Sequence, residues 1–202
     1  MKTQATRTVV AGLILTVPVL LACVLGVAPA PELPASAHSE APEEIQRLGF
    51  IIGEWDVQAW FARPDGTRTE GGTSRISARW ILGGVGIETL HHTYGGGPGF
   101  VLPPGPPYEE VRVWVYHDPS ETVTGSSVNT LGNRKELDGE WKDDRFVVTQ
   151  SGNLFNERAG YNRMTFSDIS EDSFEVRLDI RPDPEQPFIE GVYGYTATRT
   201  GG

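Results

Sequence analysis

The sequence predicts an all-β domain of eight to ten antiparallel strands, a sandwich or a barrel. Three observations point there. Apolar and polar residues alternate through most segments after Gly53. Turn-forming residues punctuate those segments at short spacing. No long stretch carries the period of roughly 3.6 residues that an amphipathic helix needs.

The first 37 of the 202 residues stand apart from this pattern. Lys2 and Arg7 precede the apolar run "VVAGLILTVPVLLACVLGVA", residues 9–28, and "PAPELPASA" follows. A basic start, an apolar centre and a small-residue end describe a secretory signal, with Ala35-Ser36-Ala37 as the cleavage site. Two other readings remain. The run is long enough for an uncleaved membrane anchor, and "LLAC", Leu20 to Cys23, resembles a lipobox whose cysteine is lipidated. Each reading makes residues 38–202 a domain outside the cytoplasm, secreted or in the cell envelope. Contact with the membrane is expected only through the N-terminal segment.

Cys23 is the only cysteine, so the 38–202 domain has no disulfide, thiolate zinc site or cysteine nucleophile. About 160 residues bury a sufficient core without such crosslinks. Without residues 1–37 the chain has 15 basic and 26 acidic residues, a net charge of −11. An acidic domain lacking a basic stripe is a poor partner for nucleic acid.

The elements follow in order. "APEEIQRLGFII" predicts one short helix, with Pro42 and two glutamates at its start and Ile45, Leu48 and Ile52 on one face. Gly49 weakens it. In "EWDVQAWF", Trp55, Val57, Ala59 and Phe61 share a face, and Trp60 breaks the alternation. "RPDGTR" is a hairpin turn. "TSRISARWIL" and "VGIETLHHTY" are strands separated by a bend at Gly83-Gly84. "EEVRVWVYH" is strongly β. Its inward side is ambiguous, because Trp114 and Tyr116 share one face and Val113 and Val115 the other. "TVTGSSVNTL" is a weaker strand. "KELDGEWKDDRFVVTQSG" carries a hairpin at Asp138-Gly139 and a further turn at Asp143-Asp144. In "SFEVRLDIR", Phe174, Val176, Leu178 and Ile180 point inward, and Glu175, Arg177, Asp179 and Arg181 outward. "GVYGYTATRT" closes the chain.

"GGGPGFVLPPGPP", residues 95–107, holds five glycines and five prolines and cannot keep a ladder. Long loops in compact domains often act as lids. Phe100, Val101 and Leu102 give this one an apolar tip suited to that role.

A Gly53-x-Trp55 start to the first strand, after a short helix, resembles the opening motif of the calycin barrels, which include lipocalins and fatty-acid-binding proteins. The ordered blocks "LGFIIGEWDVQAWFARPDGT", "RWILGGVGIETL", "VYHDPSETVT" and "FSDISEDSFEVRLD" are similar to a bacterial lipocalin-like family of uncharacterised domains, the DUF1579 type. The resemblance implies a single up-and-down antiparallel β-barrel over residues 38–202, open at one end. It also implies that Trp55 seals the closed end beneath an arginine of the last strand, here Arg199. It implies no particular activity, since fold does not fix function.

Candidate site residues follow from strand geometry. Phe61, Trp80, Trp114, Tyr116 and Tyr195 fall within strands and are candidates for an aromatic-lined pocket. His91 and His92 are adjacent, so a regular strand turns them to opposite faces and only one reaches a cavity. They cannot ligate one metal together. His117 ends the next strong strand, but no spacing supports a metal site, and none is expected. The motifs expected of haem-binding barrels are not present, and no cofactor is expected. Walker, Rossmann, zincin and nucleophile-elbow motifs are likewise missing. The reading that fits is an exported barrel binding a small apolar or amphipathic molecule. The alternatives are an isomerase, cyclase or hydrolase acting inside the barrel, testable at His91, His92, His117, Tyr116 and Asp56, and a structural or interaction protein of the envelope.

Overall fold

The computed structural model describes residues 41–93, 108–155, 158–181 and 183–201. The signal or anchor segment, Cys23, His38 and the loop bearing Phe100, Val101 and Leu102 lie outside the described residues. Ten strands form one closed antiparallel barrel. They are β1 (Gly53–Ala62), β2 (Arg68–Ile81), β3 (Gly86–Thr93), β4 (Tyr108–His117), β5 (Thr122–Asn129), β6 (Arg134–Lys142), β7 (Arg145–Phe155), β8 (Arg158–Ser167), β9 (Ser173–Arg181) and β10 (Ile189–Arg199). Each strand pairs with its chain neighbour, and β1 pairs with β10 to close the cylinder.

The helix at the start is short for the reason its composition suggests. It runs as one α-helical turn, α1 (Glu43–Gln46), and tightens to a 3-10 turn over Arg47–Ile51, which contains Gly49. Its buried face is Ile45, Leu48 and Ile51. Ile52, expected on that face, is only half-buried, because the tighter turn moves the apolar stripe back by one residue.

This helix stops one end of the barrel. Trp55 is fully buried beneath it, and its indole Nε1 donates to the Ile51 carbonyl at 2.8 Å. The Arg199 guanidinium lies 4.2 Å over the Trp55 ring, a contact that contributes about 0.5–2 kcal/mol. Arg199 also donates to the carbonyls of Ile52 and Glu171, at 2.9 and 2.8 Å. Gly53 has φ of 122°, and a Cβ there would meet Arg199 Nη1 at 2.5 Å. The glycine two residues before the tryptophan is thus what lets the arginine lie flat. Phe174 meets Trp55 edge-on at 4.8 Å, and Phe50, Phe146, Phe166 and Trp141 continue the ring cluster. Trp141 Nε1 donates to the Glu44 carbonyl at 3.1 Å, so the plug is tied to the wall at both sides.

A further local expectation is corrected. Asp138-Gly139 is not a hairpin: β6 runs straight through it, and the reversal lies at Asp143-Asp144, between the paired residues Lys142 and Arg145. Gly139 serves packing instead of turning. Its missing side chain leaves room for the Phe146 ring, which occupies the position of a Cβ. Asp179 points to the outer wall yet is fully buried. It accepts from Arg163 at 2.7 Å and from the Gly191 N–H at 2.7 Å, pinning the irregular stretch of β10 between Ile189 and Tyr193. Trp60, which broke the alternation of β1, follows a register shift after Gln58, and Arg68 stacks on its ring at 3.8 Å.

Candidate functional site

The register decides the face that alternation left open on β4. Its inner positions are Tyr108, Glu110, Arg112, Trp114 and Tyr116, because they share rows with Thr93, His91, Thr89 and Ile87 of β3, which face the interior. The valines line the outer wall. Three charged side chains are therefore drawn inside the barrel at the end away from the plug: Glu110, Arg112 and, from β6, Lys135.

The charges form one cluster. Arg112 Nε donates to Glu110 Oε1 at 2.9 Å, and Lys135 Nζ lies 3.3 Å from the same oxygen. The Tyr108 hydroxyl donates to Glu110 Oε2 at 2.5 Å, and Asn129 Nδ2 donates to the Tyr108 oxygen at 3.3 Å. Burial alone would raise the Glu110 carboxyl. Arg112 and then Lys135 outweigh it and hold the group well below the usual carboxylate range. Burial lowers Lys135, opposed by Glu110 and reinforced by Arg112. Burial and the neighbouring Glu110 raise Tyr108 far above its ordinary value, so its hydroxyl stays protonated and donates.

His91 stands beside this cluster. Its Nε2 is 2.7 Å from Ser74 Oγ, and its ring meets Tyr195 edge-on at 5.9 Å. Burial first, and then the Arg112 charge, push its pKa down to about 4, so the imidazole is neutral at pH 7. Tyr195 lies against Arg112, and burial raises its hydroxyl. Gln150 and Arg112 both reach the Met164 sulfur, at 3.0 and 3.7 Å.

Two polar atoms inside the barrel lack any partner among the described residues: Trp114 Nε1 and Ser127 Oγ. Trp114 is 1% exposed and Ser127 is 4% exposed, so water does not routinely serve them. An unmet buried donor costs about 1–3 kcal/mol.

The residues singled out from sequence divide among three places. His91 and Tyr195 are inside, next to the charged cluster, and Trp114 is inside against Phe146 of the closed-end ring cluster, their rings 6.0 Å apart. Phe61 sits near the rim with Tyr193, their rings 5.1 Å apart. Trp80 and Tyr116 pack toward the core, Trp80 beside Gly49 of the plug. His92 faces out and pairs with Glu109 at 2.7 Å. His117 is exposed beside Ser120, and Asp56 is exposed with Arg75. Among the described residues no group of three or more histidines, cysteines and carboxylates is placed to hold a metal. Sequence reasoning missed Glu110, Arg112, Lys135 and Ser74. The one available signal was the sharing of a face by Glu110, Arg112 and the aromatics Trp114 and Tyr116.

Two grooves also mark the outer wall. One is lined by Asp56, Gln58, Thr73 and Arg75, the other by Val113, Val115, Arg134 and Glu136. Their polar groups already face solvent, whereas the interior holds charge and orphaned donors away from it. The interior is therefore the candidate site.

No family model matches the chain, and no curated protein does. Among solved structures, it is similar to the crystal structure of Rv2717c from M. tuberculosis, with 13% identity and a TM-score of 0.50. That match covers 80% of this chain and 100% of the other. A redesigned β-barrel aligns with 8% identity and a TM-score of 0.40, over 76% of this chain and 94% of its own. At 13% identity the likeness to Rv2717c shows the fold alone: the chain is a closed antiparallel β-barrel.

Proposed function

We propose that this protein is an extracytoplasmic barrel that binds a small amphipathic molecule in its interior. Export rests on the order of basic, apolar and small residues in the first 37 positions. Binding rests on one observation: the barrel interior carries a buried charged cluster, with the unmet Ser127 hydroxyl in the row between Arg112 and Lys135. A core that served stability alone gains nothing from this, because buried ion pairs are commonly no better than well-packed apolar residues. A ligand with an apolar body and a polar end suits the place. Tyr108, Arg112, Lys135 and Ser127 offer hydrogen bonds to the polar end, above the packed apolar side chains of Ile87, Leu137, Val148 and Trp114.

Native mass spectrometry of protein purified from an exporting host, with an absorbance scan, tests this. A co-purifying mass of a few hundred daltons, lost on denaturation, is the expected result. A bare chain that also fails to bind any of a panel of amphipathic probes would sink the reading.

A second reading is hydrolysis, favoured by the 2.7 Å contact between Ser74 Oγ and His91 Nε2. A serine beside a neutral imidazole is the beginning of a nucleophile–base pair. It ranks second because a pKa near 4 makes His91 a weak base at neutral pH. Turnover of small ester substrates by the protein, abolished in Ser74→Ala, would move it to first place.

A further inference from the structure

The outer wall is polar around most of the barrel. Asp56 and Gln58 of β1, Arg75 of β2, Glu136 and Asp138 of β6, and Glu175 and Arg177 of β9 all lie on it. β4 is different. Its interior positions are taken by the charged and aromatic residues, so its regular apolar face, Val111, Val113 and Val115, is left outside. Leu90 of β3 and Val128 of β5 flank Val111 and extend that face, and they are 37% and 54% exposed. Covering such a face gains about 25 cal/mol for each Å² of apolar surface removed from water. A closed barrel offers no unpaired strand edge, so whatever covers the face packs on it side chain to side chain.

The register lays this face out as a grid. One row runs Ser77, Leu90, Val111, Val128 and Arg134 across β2 to β6. The next runs Arg79, Glu88, Val113, Ser126 and Glu136. Charge bounds both margins. Arg79 pairs with Glu88 at 2.7 Å on one side, and Arg134 with Glu136 at 2.8 Å on the other. The Arg79 and Glu136 side chains are still 67% and 57% exposed, free to meet a second partner.

A two-fold interface sets the same surface against itself, so every contact occurs twice. Turning a second copy about an axis along β4 brings its β5 over β3 and its β6 over β2. Leu90 then faces the partner's Val128, Arg79 faces the partner's Glu136, and the valine stripe packs on its own copy. An axis across the strands would instead set Arg79 on the partner's Arg79 and Glu136 on the partner's Glu136. Like charges facing each other disfavour that arrangement, so the pattern selects the first.

We propose that the valine face of β4 binds a second copy of this chain, in a two-fold dimer whose axis follows β4. The face fits itself in both rows, apolar on apolar at Leu90 and Val128 and cation on carboxylate at Arg79 and Glu136. Five strands about 4.8 Å apart make it only about 20 Å wide. An interface of that size is small, and the dimer is reversible, with a Kd of about 1–100 μM. It uses the outer wall alone and does not depend on what the interior binds.

The experiment is sedimentation velocity of the protein purified from an exporting host, from about 1 to about 200 μM, with Kd read from the monomer–dimer transition. Arg79→Glu and Glu136→Arg should each weaken dimerisation about tenfold or more, because each sets like charges across the interface. The double variant should return to within about threefold of the native Kd. Residues 79 and 136 stand four strands apart on one wall, about 19 Å, so a rescue can only come from pairing between two copies. Val128→Asp, at an exposed position that leaves the core intact, should abolish the dimer. A monomer at every concentration would overturn the proposal. So would a dimer that Val128→Asp and both single reversals leave unchanged, since it would lie on another face. Loss in the single variants without rescue in the double one would overturn the axis along β4.

Discussion

The inner face of β1 begins with Trp55 and the inner face of β4 begins with Tyr108, Glu110 and Arg112, at opposite ends of one barrel. At the Trp55 end three side-chain donors each have a partner: the indole of Trp55, the indole of Trp141 and the Arg199 guanidinium all donate to backbone carbonyls. At the Glu110 end the interior holds three charges and, in the row between Arg112 and Lys135, a Ser127 hydroxyl that nothing meets. The same pleat built both. The difference teaches where stability was the only demand and where it was not. A plug can be optimised ring by ring, with edge contacts contributing about 0.5–1.5 kcal/mol each. A recognition surface must keep groups that the folded chain alone does not satisfy.

Substitutions that treat the ends differently sharpen this contrast. The largest effect is expected at Glu110. Glu110→Ala leaves two cations buried without their carboxylate and should cost about 3–5 kcal/mol in denaturant unfolding. The triple change Glu110→Met, Arg112→Met, Lys135→Met removes the whole cluster. It should be as stable as the native protein or more stable, by up to about 4 kcal/mol, while losing ligand binding. A triple variant as unstable as the single one would show that the charges are there for the fold, and the contrast would collapse.

Acid is the next lever. The pKa of His91 is about 4 in the folded barrel and 6.5 in the open chain, so unfolding takes up a proton between those values. The contribution of His91 to stability is complete above pH 6.5 and is lost as the pH falls toward 4, roughly 3 kcal/mol across the window. Unfolding midpoints measured from pH 7 down to pH 5 should show this slope, and His91→Gln should flatten it. An unchanged slope in that variant would place the acid sensitivity elsewhere. The smallest effect of the three belongs to the closed end. Gly139→Ala pushes a methyl into the Phe146 ring and should cost about 1–3 kcal/mol, with no change in affinity for an amphipathic probe that the native protein binds. A change in affinity would mean that the two ends are coupled.

The fold was legible because its signals are local. Period-two alternation in "SFEVRLDIR" and the turn residues between segments specify strands and their connections, and ten strands close as a meander. Gly139 misled because glycine has two uses in a strand, to turn the chain or to admit a ring, and the ring belongs to Phe146 on the next strand. The site was harder to read for a related reason. On β4 the valine face and the Glu110–Arg112–Trp114 face are equally regular, so alternation leaves the inward side open. Only the register with β3 and β5 shows that the charges point in. Lys135 joins them from a strand 23 residues after Arg112, with no motif to announce it.

The closing ladder has a consequence for how the chain folds. Nine ladders join strands consecutive in the chain, and one joins Trp55 to Arg199, 144 residues apart. Closing a loop of that length costs about 2 kcal/mol more entropy than closing a hairpin of 20 residues, by the logarithmic dependence on length. Until it closes, the nine local ladders form an open sheet whose two edges, β1 and β10, each offer unpaired backbone to a second molecule. The stack of Arg199 on Trp55 lies at the first residue pair of that seam. The contact that finishes the plug is therefore also the clasp that converts a sheet open to pairing with its neighbours into a cylinder with no edges.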